Sequence, residues 1–135
     1  MTVVGPSEFT VDSWMGALFQ NTSFVNAAVW MQLHTADPGA AGTTAVATET
    51  IRKQVTFGAP AAPAAGVITI SNSAQVQWTS IAAGGGQDAT HYTLWTLVTA
   101  GVFLGSGVIT ANAYTTGDTL TFAIGDIDIS LNCAY

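Results

Sequence analysis

"LTFAIGDIDISL", residues 120–131, is the most regular stretch of the chain, and it changes parity in the middle. Leu120, Phe122 and Ile124 are apolar at even positions, whereas Ile127, Ile129 and Leu131 are apolar at odd ones. Side chains alternate between the two faces of a strand, so one uninterrupted strand cannot send both sets to the same face. The change falls on Gly125-Asp126, a pair suited to a bulge or a turn. The stretch therefore reads as two β segments meeting at a corner, and this period of two sets the class of the whole chain.

The same alternation recurs upstream. "VITISNSAQVQWTSI" (67–81) reads as two short strands around Ser71–Ser73, with Ile68 and Ile70 serving the first and Val76 and Trp78 the second. "THYTLWTLV" (90–98) is a mixed-polarity strand suited to the centre of a sheet. In "VFLGSGVIT" (102–110) glycines interrupt the pattern and predict a bulge or a close backbone approach. In "AVWMQLH" (28–34) Val29, Met31 and Leu33 face the core, while Trp30, Gln32 and His34 take the more polar face. "TADPGAAGTT" (35–44) ends that strand, because proline removes a ladder donor and the glycines favour a loop. "TIRKQVTFG" (50–58) resumes alternation through Ile51, Lys53, Val55 and Phe57, and "APAAPAAG" (59–66) reads as a loop with little capacity to order itself.

One helix is expected, over about residues 10–20. Val11, Trp14 and Leu18 recur at spacings of three and four, Thr10 can cap the first turn, and "QNTS" stops it. The expected fold is mainly β: an antiparallel β-sandwich, jelly-roll-like, with one short N-terminal helix. It forms a single domain over 1–135, with strands from about 28 to 132.

Composition narrows the function classes. Hydrophobic residues make up 49% of the chain and charged residues 7%, against about 25% in an average soluble domain. Arg52 and Lys53 are the only basic side chains, opposed by eight carboxylates for a net charge of −6. Neutralising phosphates takes several Lys or Arg, so nucleic acid and anionic membrane surfaces are excluded as partners. No apolar stretch approaches the roughly 20 residues of a spanning helix, and the N-terminus lacks the basic start and apolar middle of a secretory signal. A surface with so little charge suits a protein packed against copies of itself or other subunits.

Candidate chemistry is sparse. His34 and Asp37 lie three positions apart in "LHTADPGAAG" (33–42), but zinc takes three or four ligands, and the only other histidine, His91, has no acidic residue at a telling distance. The structural reading is stronger: His34 donates to a nearby carbonyl, and Asp37, with Pro38, starts a turn by accepting backbone N–H groups. "GSG" at 105–107 lacks the strand-to-helix switch of a nucleophile elbow. Asp126 and Asp128 share a strand end, a poor placement for a glycosidase pair and without the loop pattern of an EF-hand. "GGGQD" (84–88) lacks the Lys-Ser/Thr of a phosphate loop, and is a loop tip. The lone Cys133 is a small apolar filler. Trp14, Trp30, Trp78 and Trp95 fit core or interface packing better than a sugar platform. Arg52 is an architectural clasp for a carboxylate such as Glu49, Asp37 or Asp128. The residues singled out are thus turn and clasp positions (His34, Asp37, Pro38, Glu49, Arg52, Gly125 and Asp126), with no catalytic, cofactor or metal site.

The order of motifs carries a resemblance. "ALFQNTSF" leads into "VWMQLHTADPGAAG" and "ETIRKQVTFGAP", followed by "THYTLWTLVTAGVFLGSGVIT" and "TTGDTLTFAIGDIDISL". Over roughly residues 10–131 this resembles a family of small tailed-bacteriophage virion proteins described as tail fibre or minor tail proteins. The chain departs from the family's pattern in "HYTLWTLVTAG", where Thr96, Leu97 and a single Gly101 replace an acidic turn and a paired glycine. The resemblance implies a non-enzymatic structural subunit of the virion, assembled in the host bacterial cytoplasm, with no cofactor. Its implied partners are copies of itself and other virion proteins. A head (capsid) decoration protein is the alternative in the same class, and a module binding host-surface glycan is the alternative in another.

Overall fold

The computed structural model describes residues 4–82 and 86–132. Cys133 and residues 84–85 of the glycine loop, both weighed above, lie outside the described residues. The elements in chain order are β1 (Gly5–Pro6), α1 (Glu8–Phe19), β2 (Val29–His34), β3 (Lys53–Val55), β4 (Val67–Ser71), β5 (Val76–Trp78), β6 (Gln87–Trp95), β7 (Phe103–Tyr114), β8 (Leu120–Phe122) and β9 (Asp128–Asn132). Gln87 and Asp88 therefore open a strand rather than tip a loop.

The protein is mainly β with one N-terminal helix. A five-stranded sheet runs in the order β1-β7-β6-β2-β3, and two ribbons pair β4 with β9 and β5 with β8. All of these pairings are antiparallel and no sheet closes on itself. The mixed-polarity strand β6 is the middle strand of the sheet, and its residues from His91 to Trp95 have cross-strand partners on both β2 and β7.

The two ribbons continue one another. Ser71 pairs with Asp128 and Val76 with Phe122. Between these pairs one chain spends residues 72–75 and the other residues 123–127, one residue more. That extra residue is the parity change read from the sequence: Gly125 takes φ +85°, and the chain turns there from one ribbon to the next. Leu120, Phe122 and Ile127 then all reach the core from opposite parities, packing with Val76, Trp78, Met31, Leu33, Tyr92 and Leu94. Trp78 and Phe122 meet edge to face at 5.9 Å, a contact worth about 0.5–1.5 kcal/mol beyond burial.

The glycines of β7 serve close approach. A Cβ on Gly105 would stand 2.7 Å from the Gly5 carbonyl oxygen, so only glycine lets β1 pair there. A Cβ on Gly107 would overlap the ring of Tyr92, which lies across it.

Three local expectations are corrected. The helix starts two residues early because Ser7, not Thr10, is its cap. Ser7 is extended (φ −69°, ψ 160°) and its Oγ accepts from the Thr10 N–H at 3.2 Å. Thr10, already in the first turn, donates its hydroxyl to the Leu104 carbonyl at 2.7 Å. The Pro/Ala segment also orders itself. Ala64 and Val67 exchange both backbone hydrogen bonds across Ala65-Gly66, both at positive φ, which makes a tight hairpin turn of the kind that matches strand twist. Ala61 then donates to the Thr69 carbonyl, so the segment lies along β4. Finally, the stripe of Val11, Trp14 and Leu18 faces outward, and the helix packs on β7 through Thr10.

Candidate functional site

His34 is fully buried, although its strand parity assigns it to the polar face. The segment after β2 folds back beside the end of that strand: His34 bridges Val46, and Ala47 donates to the Leu33 carbonyl. His34 Nδ1 lies 2.7 Å from the Thr44 carbonyl oxygen, which can only accept, so Nδ1 carries the proton. Nε2 is then the acceptor, 2.9 Å from Thr93 Oγ1. Thr93, itself fully buried, receives the Trp95 indole N–H at 2.8 Å and passes its own hydroxyl proton toward His34. The result is a directed chain, Trp95 to Thr93 to His34 to the Thr44 carbonyl, in which every donor and acceptor role is fixed. Burial lowers the His34 pKa, opposed by the Thr44 hydrogen bond and reinforced by His91 and Arg52 nearby. The imidazole is therefore held neutral.

His91 faces His34 across the β2–β6 pairing. Its Nδ1 meets Thr90 Oγ1 at 2.9 Å, and its buried Nε2 has no partner. Among the described residues no group of three metal-ligating side chains comes together, so the two histidines stay a pair.

The turn residues lie in the same layer. Asp37 Oδ1 accepts from the Gly39 N–H at 2.9 Å, and the Pro38 carbonyl receives both the Thr44 N–H and the Thr44 hydroxyl. Glu49, nearly fully buried, turns its Oε1 to the Ile51 N–H at 2.9 Å. Each carboxylate fixes its own loop.

Arg52 reaches across the sheet. Its Nε donates to Gln32 Oε1 at 3.2 Å, and one terminal nitrogen donates to the carbonyls of Leu97 and Ala100 at 3.0 and 2.6 Å. The guanidinium carbon sits 4.0 Å over the Trp95 ring. Arg52 thus fastens the start of β3 to the β6–β7 turn. Burial lowers its pKa, but guanidinium stays charged at any ordinary pH. Arg52→Ala is expected to cost about 1–2 kcal/mol, the scale of a cation–π contact with charge-assisted bonds at a partly exposed site. Faster hydrogen exchange at Thr96 and Val102, whose amides close that turn, would register the loss. Arg52→Lys should restore only part, since an ammonium lacks the planar fork.

The residue that sequence reading missed is Asn72, between β4 and β5 and 1% exposed. Its Nδ2 donates to the carbonyls of Ala74 and Ala123 at 2.9 and 2.8 Å. Its Oδ1 accepts the N–H groups of Gly125 and Ile127 at 3.0 and 2.9 Å. Asp126 completes the corner, its carboxylate accepting the Ala123 N–H at 2.7 Å. Gly125 and Asp126 shape the turn, and Asn72 holds it from the opposite chain. The only sequence signal was the placement of an Asn between two strand patterns, which by itself reads as a turn residue.

The tryptophans do not gather on one face. Trp78 and Trp95 are buried, and the Trp78 indole donates to the Ile51 carbonyl at 2.6 Å. The exposed apolar surface lies elsewhere. Val11, Trp14, Met15, Leu18 and Phe19 of α1 are between 38% and 74% exposed. Hollows flank this helix on both sides, and Asp12 and Met15 line both of them. What the arrangement offers is a β body whose buried polar groups, His91 Nε2 apart, are hydrogen-bonded, with an apolar ridge on its surface. None of the described helices is long and apolar enough to cross a membrane.

A family model described as "Podophage GP4 fiber I protein gp80" matches residues 5–130 of the chain, and the chain belongs to that family. No curated protein matches it. As a fiber protein it is a structural, tail-associated component of the phage virion and not an enzyme. Its place in a virion implies association with other virion proteins.

Proposed function

We propose that this member of the podophage fiber family works as a repeated subunit, with copies of itself packed through uncharged faces. The observation that carries the reading is the surface. Only 7% of residues are charged, while sixteen large apolar side chains of the described residues are exposed. Scattered apolar residues are normal on a monomer, but here six fall on one short helix. The β layers supply shape: we read the five-stranded sheet and the two ribbons, which share one core cluster, as an open sandwich within a single domain. The buried network around His34, Arg52 and Asn72 acts as internal bracing that keeps the outer faces in register.

Association by mass action makes the apparent mass depend on concentration. Light scattering on purified protein from about 1 μM to about 100 μM should show a mass above that of one chain, rising with concentration. A constant mass of one chain over that range would overturn the reading and leave the family membership untouched.

A further inference from the structure

The helix α1 carries an apolar stripe that faces away from its own β body. Val11, Trp14, Met15, Leu18 and Phe19 fall at the i, i+3, i+4, i+7, i+8 spacing that normally turns a helix toward a core. Here the side that packs on β7 is small and polar. Ser7 and Thr10 hydrogen-bond the carbonyls of Phe103 and Leu104, while the stripe meets solvent. We infer that this stripe is covered by the α1 of a second copy, the two helices lying antiparallel across a two-fold axis that passes near Met15. This deepens, and rests on, the reading of the protein as a self-associating subunit.

Area favours a second copy. At these exposures, and with aromatic side chains burying about 150–250 Å² each, the five residues present on the order of 500 Å² of apolar surface. A stable interface buries about 800 Å² per partner, of which somewhat over half is apolar. One helix face therefore supplies the apolar share of one side.

Charge selects the orientation. The helix has no basic residue in its last turn, and its carboxylates, Glu8 and Asp12, both lie toward its N-terminal end. A parallel pair would bring four carboxylates together and align two helix dipoles. An antiparallel pair centred on Met15 separates the acidic ends by roughly 15 Å at 1.5 Å per residue, beyond the screening length of about 8–10 Å. It also sets the dipoles head to tail. The hollows on both sides of the Asp12–Met15 ridge give the partner's ridge a place to seat.

Two sets of variants test this. Leu18→Glu and Met15→Glu place charges on exposed positions, so the fold should survive, as checked by circular dichroism and thermal melting. Each should weaken association at least about 100-fold, the scale expected for a buried unpaired charge at an interface centre. In a Cys133→Ser background, Met15→Cys should form a disulfide-linked dimer on mild oxidation. Phe19→Cys alone should not, whereas Val11→Cys mixed with Phe19→Cys should cross-link.

Wild type that self-associates while folded Leu18→Glu does so equally well would overturn the helix contact and leave the repeated-subunit reading intact. Efficient self-linking of Phe19→Cys would overturn the antiparallel arrangement. Wild type that stays a monomer would overturn both the reading and the contact, leaving the stripe to a different virion protein.

Discussion

Asn72→Leu is expected to destabilise the fold by about 4 kcal/mol, a large part of the roughly 5–15 kcal/mol that holds a typical domain folded. Leucine matches asparagine in branching but is bulkier, so some overpacking adds to a cost that comes chiefly from lost hydrogen bonds. The Ala74 carbonyl and the Ile127 N–H lose their partner outright, whereas the Ala123 carbonyl keeps the Asp126 N–H and the Gly125 N–H keeps the Asn72 carbonyl. Each buried group left unpaired costs about 1–3 kcal/mol, reduced where water reaches the opened corner. Urea unfolding followed by the fluorescence of the buried tryptophans gives the number. A loss under about 1 kcal/mol would show that the corner holds itself without the side chain.

Asn72→Asp separates hydrogen bonding from shape. The new oxygen keeps an acceptor for Gly125 and Ile127 but turns a second one toward the carbonyls of Ala74 and Ala123. Burial and those carbonyls both raise the pKa of such a carboxyl. The folded state then holds a proton at a pH where the unfolded chain, near 3.9, has lost it. Relative to wild type at the same pH, this variant should therefore gain stability as the pH falls, since a protonated carboxyl can donate to one carbonyl. Asn72→Leu should show no such recovery.

Asn72 also marks how far sequence reading extends into this fold. The parity change at Gly125-Asp126 was legible because alternation is a local property. Three alternating hydrophobic side chains on each side of the break fix the faces, and only a corner reconciles them. What holds the corner was not legible, because its partners lie more than 50 positions away and no local pattern marks a buried asparagine. His34 failed in a related way. Strand parity assigns it to the polar face but cannot say that the chain folds back along β2 and brings the Thr44 carbonyl onto the buried ring. The helix was legible as a stripe and not as an orientation. Periodicity measures that one side is apolar, and it assumes that the protein's own core is what covers it. In a fiber subunit that assumption breaks, and the stripe points outward.

The second large effect is expected at Thr93. Thr93→Val preserves shape and removes one hydroxyl, yet that hydroxyl is both acceptor for the Trp95 indole and donor to His34 Nε2. Two buried ring nitrogens lose their partners, at about 2–4 kcal/mol together. The same chain of bonds makes wild-type stability depend on pH. His34 is held neutral in the fold, by burial first and by His91 and Arg52 in addition, so its folded pKa lies below the ordinary value of about 6.5. As the pH falls through about 6.5 the unfolded chain takes up a proton that the fold refuses. Unfolding then binds protons, and stability drops by up to about 1.4 kcal/mol per pH unit until the folded pKa is reached. Above that window the contribution is complete. The drop should begin above the carboxylate range, which separates it from general acid unfolding. His34→Gln should be less stable at neutral pH but lose most of the slope between about pH 6.5 and 5.5, since nothing at position 34 titrates there. Equal slopes in the two proteins would show that His34 does not carry the pH dependence. Tyr92, on β6, is no rival in this window, because burial and the charge of Asp128 push its pKa up to about 12. The comparison therefore reads the protonation of one imidazole through the stability of the whole fold.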